Sequence, residues 1–129
     1  MSTWRRKAIE LLPEHRHLIE TSEDPMDLWV ELATVFATSA ARTDDAALRR
    51  FFTYGLWCLT PAAGALPSSA SSAAWVGFFE NLALLKEFWG PLPQWVSPDE
   101  FELIRPAFAY FLDEDEQKEI QRAYYKHAW

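Results

Sequence analysis

Glycine, cysteine and positive charge are all scarce in this chain, and each shortage removes a class of function. Four glycines in 129 residues supply no glycine-rich phosphate loop and no Gly-x-Ser-x-Gly nucleophile elbow. A single cysteine, Cys58, excludes an intramolecular disulfide and a cysteine metal cluster, and it fits a reducing cytoplasm. Lys and Arg total 12 against 19 Asp and Glu, a formal net charge of −7 with pI near 4.9. Phosphate neutralisation needs a cationic field, so nucleic acid is not expected as a partner. Long apolar runs are missing too. No charge occurs between Phe51 and Phe79, but Pro61, Gly64, Pro67 and a serine cluster break that stretch. It falls short of the roughly 20 continuous apolar residues of a membrane span. The opening Trp4-Arg5-Arg6-Lys7 leads into Ala8-Ile9-Glu10 and not into the apolar core of a secretory leader. A soluble, cytoplasmic chain without a membrane partner is expected.

What is abundant is apolar bulk. Half the residues are hydrophobic, 16% are aromatic and seven are Trp, too much for a disordered chain. The length suits one domain, residues 1–129, burying about two thirds of its unfolded surface. Indoles are seldom fully buried, so some should serve a surface contact or pocket. The acidic excess is uneven. Residues 1–64 hold 7 basic and 9 acidic groups, and residues 65–129 hold 5 and 10. Much of the surplus lies in Asp113-Glu114-Asp115-Glu116-Gln117-Lys118-Glu119, which reads as a solvated helix start or as a docking surface for a basic partner.

Every periodic segment reads as helix, and no stretch alternates as a strand. The expected architecture is an all-α, compact bundle of five to seven helices. Helices are expected at 3–12, from Pro13 onward, from the Asp24-Pro25 cap to about 42, and from a Thr43-Asp44-Asp45 cap to about 59. Residues 61–69 are the expected loop between two halves. A serine among 68–72 should cap a helix carrying "WVGFFENL" and ending by Gly90-Pro91. Ser97-Pro98-Asp99-Glu100 is a capping box opening the helix 98–112, which Pro106 should bend. A last helix follows the acidic run.

Candidate chemistry is sparse. At about 100° per residue, Glu80 falls opposite Trp75, Phe78, Phe79, Leu82 and Leu85, so it reads as a solvent-facing or rim carboxylate. Glu14 and His17 form one Glu-x-x-His pair, where di-iron bundles need two plus further glutamates; no metal or cofactor is expected. His127 sits on the apolar stripe of the last helix, and Cys58 reads as a buried thiol. No catalytic residue emerges, so an enzyme is not expected. More informative are apolar residues on a second helix face: Trp57 in the helix ending near 59, and Leu103 and Tyr110 in 98–112. Such residues are either central in the fold or meet a partner. Trp29, Trp75, Trp89 and Trp95 are candidates to line an aromatic pocket between helices.

"LPEHRHLIETSEDPMDLWVEL", "FFENL" and "LPQWVSPDEFELIRPAFAYFL" together resemble a group of small bacterial proteins of unknown function. Those proteins have a similar Leu-Pro-Glu opening, a Pro-Met-x-Leu-Trp helix start and a Leu-Pro-x-Trp-x-Ser-x-x-Glu-Phe segment. The resemblance covers most of the chain through caps and core residues. It implies a bacterial, helical, cytoplasmic protein and brings no activity with it.

The expected function is that of a non-catalytic protein-interaction module, of the immunity or adaptor kind. Its partner would be a protein, a basic one by charge. Trp57, Leu103 and Tyr110 would anchor contact, and Asp113, Glu114, Asp115 and Glu116 would steer encounter. Two alternatives stand beside it. One is a small-molecule-binding protein or enzyme using the aromatic pocket; the other is a homodimer formed through the second apolar face.

Overall fold

The computed structural model describes residues 1–42 and 44–127. Among them the secondary structure is helical, without strands, in agreement with an all-α fold. The chain forms two compact units, Met1–Phe78 and Phe79–Trp129. The division falls at Phe78, beyond the 61–69 segment expected to separate two halves.

The first unit contains α1 (Thr3–Leu11), a 3-10 turn (Pro13–His15), α2 (Arg16–Thr21), α3 (Pro25–Ala40), α4 (Asp45–Cys58) and α5 (Ser69–Ala74). The caps fall where local chemistry puts them. Asp24 accepts from Asp27 N–H, with Pro25 at the first helical position. Asp44 accepts from Ala47 N–H; Thr43 of the expected cap lies outside the described residues. Ser68 and Ser71 close a reciprocal capping box on α5. The segment 61–69 is not wholly irregular, since Pro61–Ala63 makes a 3-10 turn.

The apolar stripes of α3, α4 and α5 meet in an aromatic core. Trp29 stacks between Tyr54 and Phe78 at 5.3 and 4.8 Å between centroids. Phe36 sets its ring edge-on to Phe51, Phe52 and Phe78, the arrangement that the aromatic quadrupole favours. The segment after α5 comes close to α3 at Gly77, where an added Cβ would lie 3.0 Å from Trp29 Cβ. Polar groups tie the periphery together. Arg5 donates to the Ile19 carbonyl, Tyr54 Oη donates to the Trp4 carbonyl, and Arg50 meets the Glu14 carboxylate at 2.8 Å.

After α5 the chain does not continue as an ideal α-helix. Trp75–Phe79 forms a π-turn, followed by α6 (Glu80–Leu84). Angular positions assigned at a uniform helical period therefore slip across this segment. Phe78, Phe79 and Leu82 are buried as expected, but Leu85 is exposed and Trp75 only half-buried. Glu80 is half-buried, within the solvent-facing or rim reading. The helix expected to reach Gly90 stops at Leu84, before a 3-10 turn at Lys86–Phe88.

In the second unit, α6 packs on α8 (Pro98–Phe111), and α7 (Leu92–Trp95) packs on α9 (Glu114–Lys126). The Ser97–Glu100 and Asp113–Glu116 capping boxes start α8 and α9. Trp89 Nε1 donates to the Ala83 carbonyl and Tyr124 Oη to the Val96 carbonyl. Pro106 lies inside α8 with its ring on the solvent side. Its missing donor therefore leaves no buried gap. Among the described residues, no helix is long and apolar enough to cross a membrane.

Candidate functional site

The residues singled out by sequence fall into three environments. Trp29 is sealed in the first unit's core, and its Nε1 makes no hydrogen bond of ordinary geometry. The thiol beside it, Cys58, is pushed up to about 12 by burial, against smaller opposing effects of Tyr54 and Trp29. Burial likewise raises the Tyr54 phenol, reinforced by Cys58. A neutral thiol held among aromatic rings is a packing group, not a nucleophile. Trp57 is half-buried and stacks on Tyr54, so the first unit itself covers much of this ring.

Histidine and carboxylate positions at Glu14–His17 are occupied by other work. Burial pulls the Glu14 pKa up, but hydrogen bonds to Arg50 and its own backbone, with the Arg50 charge, outweigh it. The carboxyl sits below its ordinary value. His15 lies against the Phe51 ring, and His17 is exposed. Among the described residues no group of three or more His, Cys, Asp or Glu is placed to hold a metal ion.

Trp89 and Trp95 are buried in the second unit, and Trp75 is half-buried in the first. None of the four tryptophans lines the apolar groove of the second unit. That groove lies between α8 and α9, with a volume of about 510 Å³. Phe101, Phe108, Ile120 and Tyr124 supply its apolar surface. Phe101 contacts Phe108 and Tyr124 at 5.3 and 5.1 Å, so the rings are held in place before anything binds. Burial raises the Tyr124 phenol, and the Glu100 charge adds to it; the hydroxyl stays protonated and spends its proton on Val96. Glu102–Arg105 and Glu114–Lys118 pairs flank the rim.

The opposite face of α8 is the more unusual surface. Leu103 is 65% exposed and Tyr110 80% exposed. Pro106 is exposed between them, so positions i, i+3 and i+7 make an apolar stripe along the helix. Phe111 is 39% exposed and meets Tyr110 edge-on at 4.9 Å. The stripe ends beside the acidic start of α9. There the four acidic candidates divide. Asp113 accepts from Glu116 N–H, and Glu116 accepts from Asp113 N–H. Glu114 and Asp115 lie exposed, with Glu114 3.5 Å from Lys118. Sequence reasoning found Leu103 and Tyr110 but missed Pro106, which it read only as a bend. The spacing of 3 and 7 was the signal available.

Comparison of the chain with protein-family models, curated proteins and solved structures returns no match. The functional argument therefore rests on the site's own chemistry.

Proposed function

We propose that the chain is a non-catalytic interaction module whose binding surface is the Leu103–Pro106–Tyr110 stripe of α8 together with Glu114 and Asp115. The single observation that carries this reading is Tyr110, a tyrosine at 80% exposure beside an acidic cluster. A large aromatic ring left in water costs hydrophobic free energy that a partner would recover. Neighbouring carboxylates would select a basic partner and speed its encounter. The second unit supports the same charge preference, with ten acidic and five basic residues between Phe79 and Trp129. A cytoplasmic bacterial setting, of the immunity or adaptor kind, belongs to the same proposal.

The test is affinity capture from the native host at low and moderate salt, comparing the unmodified protein with Tyr110→Ser and with Glu114→Gln/Asp115→Asn. A stoichiometric basic protein lost from the first variant and weakened in the second is the expected result. Equal capture by all three would overturn the reading. Dimerisation abolished by Tyr110→Ser would transfer the stripe to self-association.

A second reading, small-molecule binding, is favoured by the pre-set aromatic surface of the α8–α9 groove. Its volume of about 510 Å³ lies within the range of ligand pockets, about 300–1,000 Å³. A ligand retained through purification, and lost on Phe101→Ala, is what that reading requires.

A further inference from the structure

A second groove, of about 520 Å³, lies at the far end of α9, lined by Gly90, Gln94, Glu119, Arg122, Ala123, Lys126 and His127. It is some 15–20 Å along the helix from the acidic cap, at about 1.5 Å per residue. The second unit has five Lys and Arg residues. Three are paired within it, Lys86 with Glu119, Arg105 with Glu102 and Lys118 with Glu114. Arg122 and Lys126 have no ion-pair partner among the described residues, and both border this one groove. They stand four apart on one helix, an arrangement that repels when nothing lies between the charges. Glu119 does not relieve it, since its carboxylate is 3.7 Å from Lys86.

We infer that this groove binds the phosphate group of a small phosphate monoester. With the Glu119 carboxylate turned to Lys86, the exposed Arg122 and Lys126 leave two positive charges for a dianion, and the Arg122 guanidinium offers the paired donors suited to phosphate oxygens. His127 and Gln94 add polar side chains at the border. The organic body has room because Gly90 and Ala123 carry little or no side chain. A Cβ built on Gly90 meets nothing within 4 Å. Cations at a helix C-terminus also complement its dipole. That role accounts for Lys126, which is in the last turn of α9. It does not account for Arg122, a turn earlier, or for the small residues beneath.

Amide NMR titration of the full chain at low ionic strength tests this, with inorganic phosphate and phenyl phosphate as probes and chloride at matched ionic strength. Both phosphates should shift the Gly90 and 122–127 amides saturably. Arg122→Gln should weaken binding by about tenfold, the loss of a charge-assisted contact. Lys118→Gln, which removes a paired cation elsewhere on α9, should leave it unchanged. The inference is overturned if chloride gives the same shifts, if no shift appears at these amides, or if Arg122→Gln/Lys126→Gln titrates like the unmodified chain.

Discussion

Replacing Asp113 by alanine separates the capping acids of α9 from those outside the capping box. Asp113 Oδ1 accepts from Glu116 N–H at 2.8 Å, and Glu116 Oε1 accepts from Asp113 N–H at 3.0 Å. Alanine orphans the Glu116 N–H, while its own backbone N–H can still donate to Glu116 Oε1, at about 1 kcal/mol for the lost cap. It also removes a negative charge from the positive end of the helix dipole, about 0.3–1 kcal/mol. The expected total is about 1–2 kcal/mol. Asp113→Asn keeps the acceptor and should recover most of it. Asp115→Asn touches no cap, and losing one of several first-turn charges should cost no more than about 0.5 kcal/mol. Urea unfolding followed by circular dichroism gives the comparison as midpoint shifts at constant slope, and amide exchange along α9 detects a loss confined to that helix. If Asp113→Ala is no more destabilising than Asp115→Asn by either readout, the capping assignment is wrong. The same numbers explain why a test of steering should neutralise Glu114 and Asp115 alone: changing all four acids would confound lost attraction with a frayed helix.

Two further predictions concern the first unit. Glu14 titrates below its ordinary value of 4.5 in the folded chain. A depressed carboxyl stabilises above the unfolded pKa and loses that contribution as pH falls through the folded one. Glu14→Gln should therefore cost a few tenths of a kcal/mol at neutral pH, an amount suited to a solvent-screened pair. The difference from the unmodified chain should close as pH falls below 4.5; a pH-independent difference would assign the effect to packing. Cys58, with its thiol at about 12 where the ordinary value is 9.0, carries about a thousandfold less thiolate at pH 8 than a free cysteine. Modification by an aromatic disulfide reagent should be slower by at least that factor and should accelerate in urea. Rapid labelling of the native chain would refute a sealed thiol.

Local chemistry made much of the helical framework legible. The boxes at Ser97–Glu100 and Asp113–Glu116 and the Asp24-Pro25 start are set by residues three or fewer apart, so no distant contact is needed to specify them. Helical spacing likewise suits the burial of Phe36, Phe52, Ile104, Phe108 and Ile120 on the inner faces of their helices. A uniform period does not hold across Trp75–Phe79, where the π-turn changes the angular step: Phe78, Phe79 and Leu82 are buried, but Trp75 is only half-buried and Leu85, past the end of α6, is exposed. No pattern within the segment announces that change; it accompanies Gly77 pressed against Trp29, a residue of another helix.

The candidate sites divide the same way. Residue order alone gives α8 more apolar residues than one face can bury, and makes α9 begin acidic and end basic. Tertiary structure decided what those surpluses became. It left Leu103 and Tyr110 in water, turned Trp57 onto Tyr54, and set Phe101 against Tyr124 to floor a groove. It also paired three of the second unit's cations and left Arg122 and Lys126 together. Residue spacing fixes which side chains share a helix face; only the packing of helix against helix fixes what that face meets.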